Sequence, residues 1–200
     1  MVEVQIRGRG VADACILAAM ERVPRHRFVP EHWRTRAYDD RPLPIGGEQT
    51  ISQPYVVAAM SEALGLRGTE RVLEIGTGSG YHAAVLSECA GRVFTVEIKP
   101  ELALTAAKRL LGLGYKRVRV REGDGRLGWR SRAPYDAVVV TAASPRVPQA
   151  LVEQLREGGV LVMPLGEPSG SQVLVRGVKR HGRLEMSELM PVAFVPLVGP

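Results

Sequence analysis

The chain has 200 residues, 45% of them hydrophobic and 24% charged. That suffices for one folded domain with a full core and excludes a disordered or fibrous chain. No apolar run approaches the roughly 18 residues that span a bilayer, and the net charge of +6 comes from dispersed arginines with aromatics at only 5%, too few for base-stacking platforms.

A cytoplasmic protein with no membrane partner and no nucleic-acid partner is therefore expected. Glu3, Arg7 and Arg9 precede the first apolar helix, which does not read as a cleaved leader. Cys15 and Cys89 are the only cysteines. Neither belongs to a Cys-x-x-Cys pair, and both stand in apolar, helix-like contexts, so buried free thiols are expected. His26, His32, His82 and His181 are scattered, and no spacing suggests a metal. The chain lacks asparagine, and arginine greatly outnumbers lysine. This composition suits a hot environment, although GC-rich codons would also favour arginine.

Helical spacing runs from Val11 to Glu21 and stops before Pro24. Val23 to Pro54 is punctuated by prolines and shows little periodicity; a long loop of this kind inside a domain tends to be functional. A helix is predicted from about Pro54 to Leu64, with Ser52 as its N-cap. Beyond Gly68 strands and helices alternate. Strands are predicted at Val72–Ile75, Arg92–Ile98, Val118–Glu122, Tyr135–Thr141 and Val160–Met163. Helices are predicted at Tyr81–Ala90, Glu101–Leu113 and Pro148–Arg156. This rhythm argues an α/β fold, a Rossmann-like, doubly wound and mostly parallel sheet with helices on both faces. Gln172–Lys179 and Arg183–Leu189 flank His181-Gly182 as an antiparallel hairpin, and Val192–Leu197 could add a last strand. A single domain over 1–200 is expected, with an N-terminal helical and loop extension (1–67), a cofactor-binding core (68–166) and C-terminal antiparallel strands (167–200).

The run Val72-Leu73-Glu74-Ile75-Gly76-Thr77-Gly78-Ser79-Gly80-Tyr81 ends an apolar strand in an acid and three alternating glycines before a helix. A dinucleotide loop would carry its third glycine one residue later, where Tyr81 stands. The loop resembles instead the Glu/Asp-x-Gly-x-Gly-x-Gly signature of class I S-adenosylmethionine methyltransferases. Glu97 closes the second strand, where such folds place the acid that takes ribose hydroxyls. Asp124-Gly125 follows the third strand; in class I methyltransferases an acid there meets the adenine amine, and a plain turn is the alternative. After the fourth strand stands Thr141-Ala142-Ala143-Ser144-Pro145, without the Asn/Asp-Pro-Pro-aromatic motif of enzymes that methylate amino nitrogens.

Arg41-Pro42-Leu43-Pro44-Ile45-Gly46-Gly47-Glu48-Gln49-Thr50-Ile51-Ser52-Gln53-Pro54-Tyr55 closely resembles the protein-L-isoaspartate O-methyltransferase family. So do Val23–Pro30, Ala37–Asp40, the glycine loop, Leu151–Gly166 and Pro191–Leu197, in the same order. Glu48 departs from the family's pattern, which has glycine there. The resemblance implies transfer of a methyl group from S-adenosyl-L-methionine, leaving S-adenosyl-L-homocysteine, to isoaspartyl-containing proteins and peptides, by a monomer without metal. It implies Ser52 as the residue holding the acceptor carboxylate. The cofactor would be bound by Thr50, Ile51, Glu74, Gly76, Gly78, Gly80, Glu97, Asp124, Gly125 and Thr141. Three alternatives stay open: a methyltransferase acting on RNA or a small molecule, an NAD-dependent oxidoreductase, and a binding protein without activity.

Overall fold

The computed structural model describes residues 1–167 and 170–199. Its centre is a seven-stranded sheet in the order β5-β4-β3-β6-β7-β8-β9. The strands are β3 (Arg71–Ile75), β4 (Arg92–Glu97), β5 (Val118–Glu122), β6 (Tyr135–Val140), β7 (Leu155–Gly166), β8 (Gln172–Arg180) and β9 (Arg183–Val192). β5, β4, β3, β6 and β7 run parallel; β8 and β9 add in chain order and antiparallel. Chain order reverses between β3 and β6, the switch point where α/β sheets bind ligands beyond the carboxyl ends of their strands.

Strand side chains alternate between two cores. Val72, Val93, Ala137, Val139 and Val162 face the layer of α1 (Ala14–Arg22), α2 (Pro54–Ala63) and α3 (Tyr81–Cys89). Leu73, Ile75, Phe94, Val138, Val140 and Leu161 face the other side, with Leu151 of α5 (Gln149–Gln154). α4 (Pro100–Gly112) crosses from β4 to β5 and sends Leu110 into the first core. The side chain of Asp13 caps α1 by accepting the Ile16 N–H at 3.0 Å.

Three expectations are corrected. The proline-punctuated stretch is not all loop. It contains a hairpin of β1 (Leu43–Gly46) and β2 (Gln49–Ile51), too short to display a period of two. Val192–Leu197 is not a further strand of the sheet. β9 ends at Val192, and the tail turns over the end of β6, where the Ala143 N–H donates to the Val195 carbonyl and the Leu197 N–H to the Ala143 carbonyl. The cysteines are not free thiols: Cys15 and Cys89 form a disulfide across 74 residues, because α1 lies along α3.

Candidate active site

A cavity of about 540 Å³ opens at the carboxyl ends of β3, β4 and β6. Gly76–Ser79 form its floor, and Glu97–Lys99 line one side. The Gln49–Val57 segment roofs it, and the Met190–Val198 tail closes the far wall.

The floor is shaped by a close approach between backbone and side chain. Gly76 has φ +94, and a Cβ there would lie 2.3 Å from Thr141 Oγ1. That hydroxyl donates toward the carbonyls of Gly76 (2.8 Å) and Ile75 (3.0 Å). Glu97, only 5% exposed, ties the floor to the side: one carboxylate oxygen accepts the Gly78 N–H at 2.8 Å and the other the Lys99 N–H at 3.0 Å. Each oxygen retains acceptor capacity toward the cavity, because a carboxylate offers about four lone-pair sites. The β1–β2 hairpin leans over this floor, with Ile45 Cδ1 3.4 Å from where a Gly78 Cβ would stand.

On the roof, the N-cap of α2 is Gln53, and no side chain caps the helix. The expected capping role of Ser52 is thus corrected. Its hydroxyl is half-buried at the cavity wall and has no partner among the described residues. Beside it the N–H groups of Tyr55 and Val56, in the first turn of α2, have no intrahelical acceptor, and both residues line the cavity.

Of the residues singled out in the sequence, Thr50, Ile51, Ser52, Gly76, Gly78, Glu97, Gly125 and Thr141 stand together on the cavity wall. Glu74, Gly80 and Asp124 stand off it. Glu74 shares the strand face of Val72, so its side chain enters the layer beneath α3. There Thr95 Oγ1 donates to one carboxylate oxygen at 2.5 Å, while the other has no hydrogen-bond partner and lies 3.9 Å from His82 Nδ1. Burial, reinforced by the Glu97 charge, raises the Glu74 carboxyl to about 8. Gly80 is the N-cap of α3, and a Cβ there would crowd Leu110 at 3.1 Å. The Asp124 carboxylate is held by Arg126 at 2.8–3.1 Å, and that hydrogen bonding keeps its pKa below the usual carboxylate value.

A family profile described as "Protein-L-isoaspartate(D-aspartate) O-methyltransferase (PCMT)" matches residues 1–200. The chain belongs to this family. It is 55% identical over 199 residues to the protein-L-isoaspartate O-methyltransferase of Methanoculleus marisnigri, covering 100% of this chain and 90% of that relative. Identity to the enzyme of the same name from Gloeobacter violaceus is 53% over 197 residues, with 98% and 96% covered. A solved protein-L-isoaspartate O-methyltransferase superposes with a TM-score of 0.89 at 31% identity; the match covers 100% of this chain and 66% of the solved one.

Within this family member, sequence reasoning overlooked two buried side chains at the site. Arg25 lies behind Ser52, and its Nη2 donates to the Ser52 carbonyl at 2.8 Å. His82 faces the cavity, and its Nε2 shares a 2.9 Å hydrogen bond with Ser61 Oγ. Burial pushes this imidazole down to about 3, so it is neutral near pH 7. Their placement depends on contacts 27 and 21 residues away, which local patterning does not carry. Among the described residues no cluster of His, Cys, Asp or Glu could hold a metal, and no helix is long and apolar enough to cross a membrane.

Proposed function

We propose that this protein repairs damaged proteins by methylating the free α-carboxylate of L-isoaspartyl residues, with S-adenosylmethionine as donor. One observation carries the reading. The Gly76–Gly78 floor with Glu97 and the Ser52 end of α2 face each other across a single cavity.

When bound, S-adenosylmethionine supplies an electrophilic methyl group on a sulfonium. The residues that would hold it are Glu97 for the ribose hydroxyls, Gly76 to Gly78 beneath the methionine portion, and Gly125 near the adenine. Thr50, Ile51 and Thr141 complete the enclosure. Glu74 and Gly80 support it from beneath, and Asp124, whose carboxylate keeps acceptor capacity beside its bonds to Arg126, would meet the adenine amine.

An isoaspartyl residue is linked through its side-chain carbonyl, leaving an α-carboxylate whose pKa is roughly 3.3–3.7. At neutral pH this acceptor is already an anion, so its attack needs no general base. The site is built accordingly: His82 is bonded to Ser61 and poorly basic, and among the described residues no other histidine lines the cavity. Ser52 Oγ and the first-turn N–H groups of α2 can receive and orient the carboxylate. Opposite charges vanish as the methyl group moves, so a dry site favours the transition state. The tail residues Val192, Phe194, Val195 and Leu197 provide that apolar wall. Orientation supplies the remaining gain. The methyl ester then collapses without enzyme: the amide nitrogen of the isoaspartyl linkage attacks the ester carbonyl, methanol leaves, and water opens the resulting succinimide partly to normal aspartate.

The cavity wall draws residues from the 1–67, 68–166 and 167–200 portions alike, which supports one domain, and a monomer is part of the same proposal. The 1–67 extension serves as the roof and the 167–200 strands as the far wall. The absence of a membrane-crossing helix among the described residues supports a cytoplasmic site of action. The decisive experiment incubates the protein with methyl-labelled S-adenosylmethionine and matched peptides that differ only in aspartate or isoaspartate. Base-labile label on the isoaspartyl peptide alone is expected; equal or absent labelling of the two peptides overturns the reading.

A further inference from the structure

Arg25 is fully buried, at 0% exposure, in the turn that follows Pro24. Its guanidinium is forked between two segments: Nε donates to the Ala37 carbonyl at 2.7 Å and Nη2 to the Ser52 carbonyl at 2.8 Å. The third nitrogen, Nη1, has no hydrogen-bond partner among the described residues. The face of Tyr81, the first residue of α3, lies 4.8 Å from the guanidinium carbon. Among the described residues no carboxylate pairs with Arg25. A buried, unpaired cation is costly to maintain, and a surface arginine could tie two loops together without that penalty.

The Ser52 carbonyl points inward to Arg25. In a trans peptide the N–H points opposite to its carbonyl, so the Gln53 N–H on the same peptide points away from Arg25. Gln53 lines the cavity, and its N–H finds no acceptor among the described residues. The guanidinium therefore does two things at once. It fixes the peptide so that an unpaired donor stands beside the Ser52 hydroxyl, and it places a positive charge behind that donor in a region of low dielectric.

We propose that Arg25 is the positioning residue of the acceptor subsite: it holds the Ser52–Gln53 peptide and provides the uncompensated positive charge that makes this subsite select a carboxylate. The anion missing from the folded chain is the one the substrate brings. This inference rests on the isoaspartyl reading given above.

The test compares binding of an isoaspartyl peptide with its α-carboxamide analogue, both titrated with S-adenosylhomocysteine present. The wild-type protein should prefer the carboxylate by about tenfold or more, as one charge pair at modest effective dielectric provides. Arg25→Met should lose most of that preference through weaker binding of the free acid, with the affinity for S-adenosylhomocysteine kept within about twofold. An Arg25→Met protein that folds and keeps the wild-type preference overturns the inference. Should Arg25→Met fail to fold, Arg25→Lys decides, since it retains charge but not the planar fork. A raised KM for the isoaspartyl peptide with unchanged cofactor affinity supports the assignment, and an unchanged KM overturns it. A wild-type protein that neither methylates the isoaspartyl peptide nor prefers the carboxylate overturns the functional reading itself.

Discussion

Thr141 Oγ1 donates to the Gly76 carbonyl at 2.8 Å and occupies the space a Gly76 Cβ would need, 2.3 Å away. The end of β6 thus locks the glycine loop by filling it as well as by bonding to it. Gly76→Ala should weaken S-adenosylhomocysteine binding at least about tenfold, because the clash adds to the strain of an L residue at positive φ. Thr141→Ala alone should cost less. The double variant should recover part of the loss, since neighbours in contact are not additive. Calorimetric titration of the three proteins checks this, and strict additivity would refute the shared packing.

Glu97 and Ser52 should separate binding from turnover. Glu97→Ala removes the acceptor of two loop N–H groups as well as the proposed ribose partner, so cofactor affinity should fall more than about tenfold, each tenfold being near 1.4 kcal/mol. Ser52→Ala should leave cofactor affinity nearly intact while turnover on an isoaspartyl peptide falls. Unchanged affinity in the first variant, or wild-type turnover in the second, would strike that residue from the site.

Two hairpins use the same turn with opposite chemistry. His181-Gly182 has φ +51 and +76, and Gly47-Glu48 has +58 and +59. Both central residues of each turn are left-handed, as a type I′ turn requires. Glycine fills the second position in one hairpin, and Glu48 fills it in the other. Glu48→Gly should therefore stabilise the protein by about 1 kcal/mol, seen as a melting midpoint raised by roughly 2–4 °C. A lower midpoint would show that the glutamate makes a compensating contact.

The Cys15–Cys89 disulfide closes 74 residues of sequence separation and staples α1 to the far end of the helix that begins at the glycine loop. Chain-entropy arguments assign such a loop a stabilisation of about 4 kcal/mol. Cys15→Ser should lower the denaturant midpoint accordingly, and so should reduction, because Cys15 is exposed. Given the cytoplasmic site of action proposed above, the disulfide points to heat adaptation, since intracellular disulfides are rare outside hyperthermophiles, and the absence of asparagine points the same way. The oxidised protein should then melt above the mesophile range of roughly 45–65 °C. A midpoint inside that range would count against heat adaptation.

Stability should also depend on pH through the pair beneath α3. His82 is lowered to about 3 by burial. Between pH 3 and its ordinary 6.5 the unfolded chain therefore binds the extra proton, and stability rises with pH. Glu74 is raised to about 8. Between its ordinary 4.5 and 8 the folded chain binds the extra proton, so stability falls as pH rises. The two slopes oppose each other from about 4.5 to 6.5, and beyond that Glu74 alone remains, at up to about 1.4 kcal/mol per pH unit. Glu74→Gln should flatten the decline between pH 6.5 and 8 in denaturant titrations. An undiminished decline would place the titrating group elsewhere.

The site was half legible in the chain. Gly76, Gly78, Glu97 and Gly125 were readable because a parallel sheet delivers the ends of successive strands to one edge, so spacing along the chain becomes position in space. Glu74 stands beneath the floor because its strand period puts it on the face of Val72, a placement that the family signature does not display. Asp124 stands off the cavity wall, its carboxylate held by Arg126 only two residues away, a contact that turn chemistry alone does not display.

By itself the sequence determined the α/β alternation, the glycine turn at the switch point and membership of the isoaspartyl methyltransferase family, since these rest on local periodicity and short motifs. Only the tertiary structure decided that Cys15 meets Cys89, that the tail at Val195 seals the cavity against Ala143, and that Arg25 stands unpaired behind Ser52. Those contacts join segments far apart in the chain, and the burial of whole faces of helix and sheet selects them, a quantity that no single stretch of residues contains.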